Sequence, residues 1–133
     1  MLVACGAWLA GLGFYFIVLR PPLLAEDVRF MGTTTDHLRS SLPGLERWLS
    51  KVFTVTGGFM GGAGVLTMFI ARTAIRSRVK GTGLVVALTG VLTVALMSAA
   101  NFVLQSDFRW ILLGPPLLWL SAWLSYTSGS KPG

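Results

Sequence analysis

Residues 52–71 read VFTVTGGFMGGAGVLTMFIA, and how this stretch is read decides the fold. It holds no Asp, Glu, Lys, Arg or His, yet five of the eleven residues from Val55 to Val65 are glycine. A glycine inside a helix costs about 1 kcal/mol relative to alanine in water. An uncharged apolar run of about 18 residues or more is a candidate membrane span. Inside a bilayer the hydrophobic effect does not drive helices together. Close van der Waals packing does, and small residues permit it. Gly57, Gly61 and Gly64 fall at i, i+4 and i+7, with Gly58 and Gly62 as a second four-residue pair beside them. The stripe is expected to be a helix-packing face of the GxxxG kind, so that leucine at Gly61 would disrupt it. Candidate partners carry small residues too: Gly6, Ala10 and Gly13 near the N-terminus, or Gly90, Ser98 and Asn101 further along. A seam for a second copy or a larger partner, and a close-approach surface for a lipid, sterol or quinone, are the alternatives.

The same pattern recurs along the chain. Residues 81–106 also lack any charged residue or histidine. The 133 residues are 53% hydrophobic and 12% charged, with mean hydropathy +0.71. A typical soluble domain is about 25% charged. Four spans are expected, at about 2–19, 52–71, 83–104 and 109–126, with an earlier helical start near Pro43 an alternative for the second. Unpaired backbone is costly in lipid, so these are helices rather than open strands. The expected fold is all-α: one domain over residues 1–133, an integral membrane four-helix bundle with an outer loop of roughly thirty residues between its first two spans.

Charge sets the expected orientation. The connection ARTAIRSRVKGTG carries Arg72, Arg76, Arg78 and Lys80 and no acid, the mark of a cytoplasmic loop. Both termini are then cytoplasmic, as in a bacterial inner-membrane protein. All five acids (Glu26, Asp27, Asp36, Glu46 and Asp107) fall on the outer side. Arg20, Arg29, Arg39, Arg47 and Lys51 share that side, which weakens the contrast. The net charge of +6 is explained by topology and by attraction to anionic headgroups, so nucleic acid is not an expected partner. The lipid bilayer is.

Leu2-Val3-Ala4-Cys5 has the form of a lipoprotein cleavage box. Such a box needs a basic and an apolar region before it, and only Met1 precedes it here. The single cysteine is expected to be a small apolar residue in a helix, and it makes no internal disulfide.

Few residues carry candidate chemistry. Ser98, Asn101 and Gln105 are spaced to share one helix face, either hydrogen-bonding across helices or lining a polar pocket. Asp107 and Arg109 flank Phe108 in a turn, with Trp110 at the expected aromatic belt. The segment Glu26–Phe30 is expected to lie along the interface as a capped turn. If it folds back, Asp27 and Arg29 would meet Asp107 and Arg109 in an outer charge cluster, either structural or placed to polarise a ligand headgroup. Leu45, Trp48, Leu49, Val52 and Phe53 recur at helical spacing and suggest an oblique helix entering the membrane. Trp119 and Trp123 are expected to face lipid or pack internally. His37 is the only histidine and, with one distant cysteine, makes no metal site of normal ligand number. It is expected on an exposed loop. No phosphate loop, HExxH or Ser-His-Asp spacing is present, and no cofactor is expected.

Four short spans, an acidic-x-Arg-Phe element (Asp27, Val28, Arg29, Phe30), a glycine-rich second span and an aromatic-rich fourth resemble the small bacterial four-helix proteins of the DoxX-like group. The resemblance covers most of the chain in layout. It implies a membrane bundle connected with quinone or thiol redox systems, although this chain lacks the cysteine pair a thiol role needs. The first span also lacks the embedded glutamate of small multidrug exporters.

Three functions follow. The first is a non-enzymatic accessory or assembly subunit of a larger membrane complex, supported by ample packing surface and no catalytic constellation. The second is a binder, carrier or enzyme for a lipophilic small molecule such as a quinone or lipid. The third, a small dimeric transporter, calls for ionisable residues at membrane centre, which this chain lacks.

Overall fold

A computed structural model describes residues 1–129 of the chain. Residues 130–133 lie outside the described residues. Among those described, every regular element is helical. The elements are α1 (Leu2–Val18), α2 (Ala25–Phe30), α3 (Thr35–Ser41), α4 (Leu45–Arg72), α5 (Thr82–Val103) and α6 (Gly114–Ser128).

Two of these, α4 with 28 residues and α5 with 22, are long and apolar enough to cross a membrane. At 1.5 Å per residue they reach about 42 and 33 Å. Only 17% and 22% of their apolar windows are buried within the protein, so most of each window faces away from the chain's own core. α1 is a shorter apolar helix of 17 residues, and α6 has 15. The fourth expected span therefore starts later than Arg109. Residues 111–113 form a 3-10 turn, and the helix begins at Gly114. Pro115 and Pro116 occupy its first turn, where no intrahelical N–H bond is lost. Pro43 lies before α4, whose first residue is Leu45. The segment between α1 and α4 is not a plain loop: it forms α2 and α3, the second capped by Thr34 Oγ1 accepting from His37 N–H at 3.3 Å.

α5 is not uniform. Val91–Ala95 form a π turn, with Leu96 N–H reaching back five residues to Val91 O. A π turn inserts one residue into the helical phase. Nothing in the apolar run VLTVA signals it beforehand. Downstream of it, Met97, Asn101 and Leu104 are brought onto one face, toward α1.

The core is small. Leu2, Cys5 and Leu9 of α1 meet Val86 and Val94 of α5 and Trp119 of α6, with Met60, Ala63 and Ile70 of α4 against them. Cys5 is buried there as a small apolar side chain. Trp119 lies so close over Gly90 that a Cβ at that glycine would overlap the indole. Its Nε1–H donates to Val86 O at 2.9 Å, and Trp123 Nε1–H donates to Gly83 O at 2.9 Å. Both tryptophans thus pack internally against α5. Around this core the exposed apolar surface is extensive, with Phe59, Leu66 and Phe69 on α4 and Leu92 and Leu96 on α5 more than half exposed.

Candidate functional site

α1 and α4 meet backbone to backbone. A Cβ on Gly57 would fall 2.5 Å from Gly13 O, and one on Gly64 would fall 2.6 Å from Gly6 O and 2.5 Å from Ala10 N. A Cβ on Gly13 would overlap the backbone nitrogen of Gly61. The partner of the glycine stripe is therefore α1, through Gly6, Ala10 and Gly13. The stripe is not uniform, however. A Cβ on Gly61 meets nothing within 4 Å, nor does one on Gly58 or Gly62. The disruption expected at Gly61 belongs instead to Gly57 and Gly64. Gly58 and Gly62 line a shallow apolar groove on the outside of α4 with Val55, Phe59 and Leu66.

On another face of α1 large side chains replace glycine, and a cavity of about 570 Å³ opens. Trp8, Leu12, Tyr15 and Phe16 form the α1 wall. Met97, Asn101 and Leu104 form the α5 wall, and Phe108, Ile111 and Leu112 close it from the turn after α5. At one end stand Arg20, Leu24, Glu26 and Asp27 from α2 and the chain leading into it.

That end is held by a polar network linking α2 to the turn before α6. The Glu26 carboxylate is buried, with Ser106 Oγ at 3.0 and 2.9 Å from its two oxygens. Asp107 N–H donates to Glu26 Oε2 at 3.1 Å, and Phe108 N–H donates to Ser106 Oγ at 3.2 Å. Ser106 itself is completely buried. Outside this contact Arg29 reaches Asp107 Oδ1 at 3.1 Å and Gln105 O at 3.4 Å. The Asp27 carboxylate accepts Leu24 N–H at 2.9 Å, half of a capping box for α2, and pairs with Arg20 at 3.3 Å. The Arg20 guanidinium also lies over the Phe53 ring, 3.6 Å from its centroid, and donates to Pro21 O.

The expected charge cluster is thus part real and part different. Arg29 meets Asp107, whereas Asp27 turns to Arg20, and Arg109 lies beside Trp110 at 5.9 Å. Ser98, Asn101 and Gln105 do not share one fate. Asn101 lines the cavity, but its Nδ2–H donates within the helix to Met97 O at 2.9 Å. Ser98 is buried, and its Oγ has no hydrogen-bond partner among the described residues. Gln105 is beyond the end of the helix, exposed, in left-handed backbone with φ 51°. His37 is exposed near the start of α3. Among the described residues no group of three or more His, Cys, Asp or Glu is placed to hold a metal.

Arg20, Glu26 and Ser106 are the residues that sequence reasoning passed over as a span boundary, one acid of a loop and a small turn residue. Glu26 and Ser106 lie 80 positions apart with no shared pattern. The one signal available was that α2 carries acids just after an apolar span. Comparison of the chain with protein-family models, curated proteins and solved structures yields no match.

Proposed function

We propose that the protein is an integral membrane four-helix bundle that binds or carries a lipophilic small molecule in the cavity between α1 and α5. The cavity carries this reading: about 570 Å³, walled mainly by apolar and aromatic side chains, with charged groups gathered at one end. Ligand sites have this character, apolar walls with a few convergent polar groups, at volumes of about 300–1,000 Å³. A quinone or lipid, the classes implied by the DoxX-like resemblance, would place its polar head at the Arg20–Asp27 end. Arg72 ends α4 and Arg76, Arg78 and Lys80 follow it, and this basic connection supports an orientation with both termini in the cytoplasm of a bacterial cell. A reporter inserted near Thr34 is then active outside, and one after Lys131 inside. Reversal of both would overturn this orientation.

The experiment is purification in mild detergent, followed by mass spectrometry of what is retained. Leu12→Trp fills the cavity from α1 without touching the charged end. The wild type retains a lipophile and the variant loses it while keeping its melting temperature. A lipophile retained at full occupancy by Leu12→Trp would end the assignment to this cavity.

The groove on the outside of α4 favours a second reading, an accessory subunit docking a larger membrane complex or a second copy along Gly58 and Gly62. A stoichiometric protein in the same purification, with no lipophile, would favour it.

A further inference from the structure

Three carboxylates and two guanidiniums meet around the cavity's charged end, and their pairing leaves a remainder. Arg20 is paired with Asp27, and its face is occupied by Phe53. Arg29 is paired with Asp107 on the outside. Glu26 lines the cavity, is 9% exposed, and takes part in none of the ion pairs among the described residues. Its hydrogen-bond partners, the Ser106 hydroxyl and the Asp107 N–H, are neutral donors. A buried carboxylate without a counter-ion is costly. The cavity wall also carries four aromatic side chains, Trp8, Tyr15, Phe16 and Phe108, with the Arg20 guanidinium already over the Phe16 ring at 5.2 Å from its centroid. Aromatic faces attract organic cations, quaternary ammonium groups in particular.

Resting on the cavity being a ligand site, we infer that its ligand is a lipophile with a cationic head, an alkyl amine or ammonium, with Glu26 as counter-ion. The tail lies among Leu12, Met97 and Leu104. An anionic head is disfavoured twice: it would meet Glu26, and Arg20, the one cation lining the cavity among the described residues, already serves Asp27. A neutral head leaves Glu26 as it is.

The test uses the full chain in maltoside micelles and an equimolar mixture of decyltrimethylammonium, decanol and decanoate, with retention read by native mass spectrometry. The ammonium compound should be retained at least about tenfold over decanoate, a difference of about 1.4 kcal/mol. Glu26→Gln keeps an acceptor for Ser106 and Asp107 N–H and removes the charge. It should abolish the preference, so that the ammonium compound is retained no better than decanol. Decanol or decanoate retained as well as the ammonium compound by the wild type overturns the charge assignment and leaves the cavity as a ligand site. A preference undiminished in Glu26→Gln overturns Glu26 as counter-ion. Retention of none of the three overturns the ligand-site reading, and this inference with it. The wild-type comparison needs no variant, so poor folding of Glu26→Gln does not shield the proposal.

Discussion

Along one side of α1, Gly6, Ala10 and Gly13 let α4 approach to backbone contact; along another, Trp8, Leu12, Tyr15 and Phe16 stand off α5 around a cavity. Both faces belong to one uncharged helix of 17 residues. What separates them is side-chain size, not polarity. In lipid, tight seams come from removing side chains so that backbones touch. The gap has the opposite composition, and its far end is shut by the Glu26–Ser106 contact and the ion pairs around it.

The largest expected effect breaks the seam itself. Gly13→Leu would drive a side chain into the backbone of Gly57 and Gly61, where nothing flexible can yield. Overpacking a filled contact costs about 1–3 kcal/mol and occasionally more. The backbone contact places Gly13→Leu at the upper end, and thermal unfolding in detergent should show a variant that is largely unfolded or markedly less stable. An unchanged melting temperature would mean that α1 and α4 do not touch as described.

The end of the gap should be the next most sensitive. Glu26→Ala leaves Ser106 Oγ–H and Asp107 N–H without their acceptor. Stranding a buried donor costs about 1–3 kcal/mol. The melting temperature should fall, and α2 should gain hydrogen-exchange rate relative to α4. Equal exchange in both variant and wild type would show that α2 is held by something else, with Arg29–Asp107 the obvious candidate. That pair is weaker by expectation, since both side chains are more than half exposed and such pairs contribute about 0–1 kcal/mol.

Trp119→Phe probes where the seam gives way to the gap. Trp119 closes the space beside Leu2, Cys5 and Leu9 of α1, whereas the cavity is lined on α1 by Trp8, Leu12, Tyr15 and Phe16. Phenylalanine keeps most of the apolar contact but loses the Nε1–H bond to Val86 O. A single hydrogen bond is worth about 1 kcal/mol net. A loss of this size should appear in the unfolding midpoint, without change in ligand retention. A change in retention would show that the cavity extends to Trp119.

Much of this arrangement could be read from residue order. The charge-free runs placed α4 and α5, and the small residues of the first span were one of two partners the sequence offered for the glycine stripe. Helical spacing also put Gly57, Gly61 and Gly64 together and Gly58 and Gly62 beside them. It did not show which glycine's Cβ direction runs into α1, because that depends on how two helices cross. The shared face of Ser98, Asn101 and Gln105 failed for a local reason: α5 ends at Val103, and Gln105 sits in left-handed backbone beyond it. The Glu26–Ser106 contact was illegible because it joins a short helix to a turn across the whole of α4 and α5. A serine in a turn carries no mark of what it will meet.

Gly62→Leu has the smallest expected effect and sharpens the comparison most finely. Gly62 is two residues from Gly64, on the same helix, in the same run of glycines, yet it faces outward and a Cβ there meets nothing within 4 Å. If the seam depends on geometry rather than on glycine content, leucine at this position touches no other helix of the protein. Surface substitutions away from specific contacts usually change stability by no more than about 0.5 kcal/mol. The melting temperature of Gly62→Leu should therefore match the wild type, while Gly13→Leu fails. Size-exclusion chromatography of the same variant separates two uses of the outer groove. If lipid covers it, the apparent mass is unchanged, because leucine is as compatible with acyl chains as glycine is. If a second copy docks there through Gly58 and Gly62, the bulkier side chain holds the two helices apart, and the apparent mass falls to that of one chain with the fold intact.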